Sequence, residues 1–502
     1  MTSPGELKSR SIAAVGWSAI DLAGRQGLQF TVAVILARLL SPSEFGLIGM
    51  LSLFIAVAAT FVDGGFGAAL IQRDKITEAD KSSVLLFNVT AGGAVACVLA
   101  AAAPLIARFY SQPVLEPLTR WMALNVFITS LCSVQNALLS RELDFRTPFK
   151  VGVLAGVSSG SVAVWMAWHG WGVWSLVTQT LVSSTVSSIA LWVLHPWRPV
   201  FRLWSNSLRS LFGFGSRMLG SGLLNTFFDR IQLTVIGKAF SAADLGQYSR
   251  AYNTQQLPVG LLTAVVSRVT LPVFSQISGD APALRNGVRK ALVGLMIPTL
   301  PMMFGLAVVA RPLVLVLLGA KWLPCVPYLR VLSIAGAFYP VHVVNLIATQ
   351  AVGRSDLFLR LEIAKKVLIG LALLATFRIS VMAMVWAVLV VSIACVYINS
   401  HYSRMLIGYG TARQFFDLTP YVIIATLTSV LSWTAGAPLS HTPLLSLLVI
   451  VLTGLVTYPA TCHLLRLELF RATVSQAVSV FPRRKRIALR SSYSELQPRL
   501  PV

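Results

Sequence analysis

Three polar residues interrupt the first apolar run of the chain: Asp21, Arg25 and Gln29. Their i, i+4, i+8 spacing puts them on one face of a helix. Two hundred residues on stand Ser221, Asn225 and Asp229, with Arg230 directly after. The next apolar run carries Arg250, Asn253, Gln255 and Gln256. An arginine or aspartate at the centre of a lone membrane helix costs about 2.5–3.5 kcal/mol, so such residues face a bundle interior or a watery cavity. The chemistry these residue types permit is charge recognition inside a membrane. The expected site is a polar, cation-rich cavity with Arg25, Arg230 and Arg250 as its cations. Asp21, Gln29, Asn225, Asp229 and Gln255 are its polar wall. The competing reading is that Asp21–Arg25 and Asp229–Arg230 are self-neutralising pairs that only hold helices together.

Other chemistries find no support. The six histidines lack metal-ligand spacing, and none of the five cysteines (Cys97, Cys132, Cys325, Cys395, Cys462) forms a CxxC pair. "DGGFGAAL" at 63–70 is glycine-rich but lacks the Lys-Ser/Thr ending of a nucleotide-binding loop. No nucleophile–base constellation and no ATP-binding domain is legible. No metal, cofactor or catalytic residue is expected, and the chain reads as a non-enzyme.

The elements that must position the polar stripes are membrane helices. The chain of 502 residues is 56% hydrophobic and 12% charged, against about 25% charged in soluble domains. Its apolar residues fall in runs of roughly 18 to 25, long enough to cross a bilayer core. Spanning segments must satisfy their own backbone polar groups, so they are helices. The spacing predicts fourteen: 12–36, 44–66, 83–107, 117–139, 149–169, 172–194, 212–237, 244–272, 291–310, 325–349, 358–377, 381–400, 417–436 and 443–465. Pro298 and Pro301 predict a break in the ninth span. Segment 311–326 reads as an interfacial helix. Beyond Leu465, Leu467, Phe470, Val474, Val478 and Phe481 recur at helical spacing before "RRKR" at 483–486, a basic interfacial helix against anionic lipid.

Orientation follows from the basic residues. With the N-terminus in the cytoplasm, inner segments carry 29 Lys and Arg against 8 outside, the asymmetry of the positive-inside rule. Both termini are therefore expected in the cytoplasm. The same placement explains the net charge of +23 without nucleic acid.

One pattern occurs twice. "LARLLSPSEFGLIG" (36–49) links spans 1 and 2, and "IGKAFSAADLGQYS" (236–249) links spans 7 and 8. Six spans separate the copies, an even number, so the halves run in the same direction. A parallel repeat of this kind places a site between halves that rock for alternating access. The expected organisation is an all-α integral membrane protein. It has a six-helix bundle over 1–200, a second over 201–400, two further helices over 401–465 and a basic tail over 466–502.

At these residues a family resemblance appears. "LARLLSPSEFGLIGM" with "DGGFGAALIQR", "NALLSRELDFR", "DRIQLTVIGKAFSAADLGQYSRAYNTQQLPVGLLTAVVSRVTLPVFSQ", "LLGAKWLPCVPYLRVL" and "ATQAVGRSDLFLRLE" carry it. The chain resembles polysaccharide exporters of the multidrug/oligosaccharidyl-lipid/polysaccharide flippase superfamily. It is most similar to the Wzx-type branch, over about residues 8–410. The resemblance implies two six-helix bundles around a central cavity. It implies movement of a polyprenyl-diphosphate-linked oligosaccharide to the outer leaflet of the bacterial inner membrane. Membrane lipids and polysaccharide polymerase or export machinery are the implied partners. Arg25, Arg230 and Arg250 suit diphosphate oxygens. The alternative is an ion-coupled drug or metabolite antiporter of the same fold, which would want an unpaired membrane carboxylate. A membrane polymerase or ligase would want a large catalytic outer loop.

Overall fold

The computed structural model describes residues 24–471 apart from 65–66, 68–69, 72–75, 143, 145, 201–204 and 468. The side chains of 205–215, 217, 261–269, 271–272 and 355 are likewise undescribed. Asp21 and the expected tail helix beyond 471 lie outside the described residues.

Long apolar runs with short links fold into helices, and the described residues contain no strand. They are α1 (24–39), α2 (Pro42–Asp63), α3 (Glu78–Tyr110), α4 (Leu115–Ser130), α5 (Ser133–Arg141), α6 (Arg146–Trp168), α7 (Trp174–Leu194), α8 (Ser205–Ala239), α9 (Ala242–Gln276), α10 (Ala281–Leu317), α11 (Cys325–Gly336), α12 (Tyr339–Ala351), α13 (Ser355–Thr376), α14 (Val381–Ile407), α15 (Thr411–Gly436) and α16 (Pro443–Leu464). Among the described residues, nine spans are long and apolar enough to cross a membrane, or ten with the bent pair α4–α5. The remaining helices α1, α8, α9 and α13 include those that bear the polar candidates.

Two expectations need correction. Pro298 and Pro301 do not break the ninth span: α10 is one helix through both and through Pro312. A proline forfeits its own backbone donor and leaves one carbonyl free, which a membrane helix accommodates with neighbouring groups. The breaks fall elsewhere, at Leu131–Cys132 between α4 and α5, with a 40° bend, and at Ala337–Phe338 between α11 and α12. They fall in the fourth and tenth of the expected spans. Segment 311–326 is not an interfacial helix either. Residues up to Leu317 continue α10, and a single 3-10 turn, Ala320–Trp322, follows.

The chain divides into two compact units. One holds the described residues up to Arg250 with Leu317–Pro324 and Thr376–Val381; the other holds Ala251–Val316, Cys325–Ala375 and the rest. In the first, α6 presents a glycine stripe at i+4 spacing, and α1 lies in it. A Cβ at Gly152 would meet Arg25 Cδ at 2.2 Å, at Gly156 Leu28 at 2.6 Å, and at Gly160 Val32 at 2.6 Å. Small residues let membrane helices approach closely, where dispersion rather than water expulsion holds them. In the second unit, α10, α12 and α15 contribute to a core around Val288, Leu292, Met303, Val344 and Tyr421. A buried polar network joins α12, α14 and α15. Gln414 Nε2 donates to Asn345 Oδ1 at 2.8 Å, Asn345 Nδ2 donates back at 3.0 Å, and Ser403 Oγ donates to Asn345 Oδ1 at 2.6 Å.

Candidate functional site

The duplicated sequence builds a knot in the first unit. Each copy begins a helix with a capping box. Ser41 donates its backbone N–H and hydroxyl to Glu44 Oε2 at 2.6 and 2.8 Å. Ser241 Oγ donates to Asp244 Oδ2 at 2.6 Å and accepts from Asp244 N at 3.1 Å. Such boxes satisfy helix N–H groups that lack a partner in the first turn. The two capped ends then cross each other. A Cβ on Gly46 would lie 1.7 Å from the Ala242 carbonyl oxygen, and one on Gly246 1.8 Å from that of Pro42. Only glycine fits either position, and the reciprocity of the contact is a local two-fold.

The cations of the two copies act reciprocally as well. Arg38 Nε donates to the Leu317 carbonyl at 2.9 Å, at the end of α10. Lys238 Nζ donates to the Phe109 carbonyl, at the end of α3. These helices correspond to the ninth and third of the expected spans. Each cation meets a helix C-terminus, where the macrodipole favours it. The 3-10 turn completes the knot. Lys321 Nζ donates to Arg38 O and Trp322 Nε1 to Ala37 O, both at 2.8 Å.

Arg250 belongs to this knot. Its guanidinium carbon lies 4.3 Å from the Phe45 ring centroid and 5.3 Å from that of the fully buried Trp322. Cation–π contact of this kind holds an arginine in place. Arg25 sits elsewhere. At 1.5 Å per residue, Arg25 is about 24 Å along α1 from Ser41, whereas Arg230 and Arg250 are about 16 and 14 Å from Ser241. Of the three arginines expected together, Arg230 and Arg250 are therefore at similar distances from the links and Arg25 is farther, and Arg250 is stacked on aromatics.

The polar wall is also redistributed. Arg25 is half-buried with its stem against Gly152, while Gln29 is exposed. Arg25, Leu28 and Val32 form the packed face of α1, and Gln29 lies to one side of it. On α8, Asn225 and Asp229 are exposed and Arg230 is half-buried. Gln255 belongs to the second unit, where it is buried and a Cβ on Gly336 of α11 would lie 2.2 Å from its amide nitrogen.

Beside the polar face of α8 runs an apolar groove of about 930 Å³ between α2, α3 and α8, lined by Phe54, Phe61, Leu105, Phe109, Phe227 and Ile231 among others. The second unit contributes a titratable cluster that the sequence reading missed. Glu362 of α13 pairs with Lys365 at 3.0 Å and Lys366 at 3.8 Å, and His342 Nδ1 lies 3.4 Å from Asn399 Nδ2. The i+3 and i+4 spacing of Glu362 from the two lysines was the available signal.

The sequence profile of the polysaccharide biosynthesis protein family matches residues 35–327, more than half the chain. Teichuronic acid biosynthesis protein TuaB of Bacillus subtilis is 27% identical over 82% of this chain and 86% of its own length. Succinoglycan biosynthesis transport protein ExoT of Rhizobium meliloti is 29% identical over 64% of this chain and 65% of its own. Lipopolysaccharide biosynthesis protein WzxC of Escherichia coli is 27% identical over 66% and 68%. Among solved structures, the lipid II flippase MurJ in an inward closed conformation superposes with a TM-score of 0.70 at 14% identity, covering 90% of this chain and 99% of that one. An inward-facing multidrug resistance transporter of the MATE family gives 0.61 at 15% identity over 79% and 98%. The chain belongs to the polysaccharide biosynthesis protein family, as a multi-pass membrane protein with the multidrug/oligosaccharidyl-lipid/polysaccharide flippase fold.

Proposed function

We propose that the protein carries a polyprenyl-diphosphate-linked oligosaccharide from the cytoplasmic to the periplasmic leaflet of the bacterial inner membrane, for surface-polysaccharide export. The relatives support a polysaccharide cargo, since teichuronic acid, succinoglycan and lipopolysaccharide share that class. The observation that carries the reading is that Arg25 of α1 and Arg230 of α8 are both half-buried; the proposed repeat makes these helices equivalent and spans the membrane with both. Two guanidinium groups at different depths suit a diphosphate that moves along the membrane normal. The exposed Asn225 and Asp229 form the polar wall beside Arg230, and the apolar groove on the neighbouring face of α8 suits an isoprenoid chain. Fourteen spans with both termini in the cytoplasm put the knot at the outer face. Alternating access then requires that knot to part as the outer side opens, with Arg250 as a latch and Gln255 as packing. Polysaccharide polymerase is the partner that would receive the cargo.

The test is a surface-glycan assay beside a membrane-expression blot for Arg25→Gln, Asp21→Asn and the double variant. A cargo contact predicts a double variant that inserts normally and stays inactive. Full activity in a well-expressed double variant would reduce Arg25 to the partner of Asp21. The second reading is ion-coupled antiport of a small molecule; it wants an unpaired carboxylate, whereas Glu362 is paired with Lys365 and Lys366. Vesicle transport that is lost with the ion gradients and indifferent to lipid-linked glycan would select it.

A further inference from the structure

A second basic site lies away from these residues, in the second unit. The start of α10 and the start of α15 flank a pocket of about 390 Å³ lined by Arg285, Asn286, Arg289, Tyr409, Arg413 and Asp417 among others. Three guanidinium groups face a single carboxylate. That carboxylate is already engaged: Arg289 donates to it through Nε at 3.0 Å and Nη2 at 2.8 Å, and Tyr409 Oη donates at 2.8 Å. Arg285 and Arg413 are held by the fold through backbone carbonyls. Arg285 Nε donates to Ile407 O at 2.7 Å, and Arg413 Nη1 donates to Gly408 O at 3.1 Å. Each such bond uses one of the five N–H groups that a guanidinium carries. Among the described residues, the two arginines are thus oriented by neutral acceptors, with no carboxylate paired to either.

Two features say what the excess charge meets. Ala412 and Arg413, in the first turn of the 26-residue α15, line the pocket, and the N-cap Gly410 offers that turn no side-chain acceptor. Phe416, 80% exposed, also lines the pocket, and Phe415, 49% exposed, adjoins it. The helix is long and apolar enough to cross a membrane from Thr411 onward, so its first turn and the pocket lie at a membrane interface. A pocket of this size is at the small end of ligand sites, suited to a headgroup and too small for an oligosaccharide.

We propose that this pocket binds a phosphate group, and that the phosphate is the headgroup of an anionic phospholipid. Under the topology proposed above, the lipid comes from the cytoplasmic leaflet. The bound phosphate would accept from Arg285, Arg413 and the first turn of α15, and Arg289 would stay paired with Asp417. The lipid would pin α10 to α15, and its binding does not depend on what cargo the protein moves.

The experiment uses the purified full chain in detergent, titrated with phosphatidylglycerol, phosphatidylcholine or inorganic phosphate, with binding read by native mass spectrometry and by thermal shift. The expected result is at least a tenfold preference for phosphatidylglycerol over phosphatidylcholine. Arg285→Gln with Arg413→Gln should remove that preference, leaving the Arg289–Asp417 pair intact and the gel-filtration profile unchanged. Arg285→Lys with Arg413→Lys, a control for folding, should retain part of it. Competition by millimolar inorganic phosphate, with no added benefit from acyl chains, would keep the phosphate site and replace the lipid by a soluble anion. An unchanged phosphatidylglycerol preference in the well-folded glutamine variant would overturn the proposal. None of these readouts measures transport, so the proposed cargo can fail independently.

Discussion

The two copies of the repeated link differ as instructively as they agree. In both, a serine and an acidic residue cap a helix, a glycine admits the crossing helix, and a cation reaches a distant helix end. Two hundred residues before Arg250 stands Met50, which is 1% exposed and would lie 3.0 Å from a Cβ on Gly237. Two hundred residues before Leu245, which is fully buried, stands Phe45, the ring under Arg250. The shared positions build the crossing. At the unshared ones, one side of the crossing packs Met50 of the first copy near Leu245 of the second, while the other stacks Arg250 of the second copy on Phe45 of the first. The same contrast separates Arg250 from Arg25, whose stem lies in a glycine groove. A membrane arginine can be a structural latch or a ligand group, and its immediate neighbours distinguish the two.

The largest expected effect tests what the copies share. Gly46→Leu or Gly246→Leu drives a side chain into a backbone carbonyl that cannot rotate away. A loss of about 4 kcal/mol or more is expected, read as no monodisperse protein in the membrane fraction. Gly237→Ala meets side chains rather than backbone, Leu245 and Met50 at 3.0 Å and the Tyr110 ring at 3.3 Å, so a cost of about 1 kcal/mol is expected. Equal behaviour of the two classes would break the assignment of the crossing.

Next comes the contrast between arginines. Arg25→Gln should lower transport roughly 100-fold, about 2.7 kcal/mol, at normal expression. Arg250→Met installs the residue of the other copy. It should leave transport within about threefold and lower the melting temperature, as expected for the loss of about 1–2 kcal/mol of cation–π contact. Similar losses of transport in both would place Arg250 with the cargo contacts after all.

Gly152→Ala sharpens the same comparison without touching charge. The new methyl would meet Arg25 Cδ and turn the guanidinium aside. A fall in transport of roughly tenfold, about 1.4 kcal/mol, with an unchanged expression blot is expected. Unaltered transport would mean that the position of Arg25 is unimportant.

The smallest effect concerns Asp144, outside the spans. It caps α6, accepting from Arg146 N at 2.9 Å, Thr147 N at 3.2 Å and Thr147 Oγ1 at 2.6 Å. Burial pushes its pKa up, but the Thr147 and Arg146 hydrogen bonds outweigh this and hold the carboxyl below its ordinary range. A depressed folded value gives stability that is fully present above the unfolded pKa and lost as pH falls through the folded one. Asp144→Ala should cost about 1 kcal/mol at pH 7 and flatten that acid-side loss in thermal melts. A melting curve with the same acid dependence as wild type would remove the cap from the account.

Much was determined by the sequence alone. Apolar runs of membrane length and the capping residues of the two similar links are local properties, because helix periodicity and end chemistry depend on residues within a few positions of each other. The polar residues Arg25, Asn225, Asp229, Arg230 and Arg250 were equally visible as types. Tertiary structure alone decided which neighbours they have. Gly152, Gly156 and Gly160 are only small residues until α1 lies against them. Trp322 stands seventy-two residues beyond Arg250 in sequence and meets it only because the 3-10 turn docks on the Ala37 and Arg38 carbonyls. The broken spans followed the same rule. Pro298 and Pro301 signalled a break by local chemistry, yet α10 stayed whole; the chain bends by 40° at Leu131–Cys132 instead, and the helix is interrupted at Ala337–Phe338. Local chemistry allows a bend at a proline; where the chain bends is set by packing between helices that are far apart in sequence.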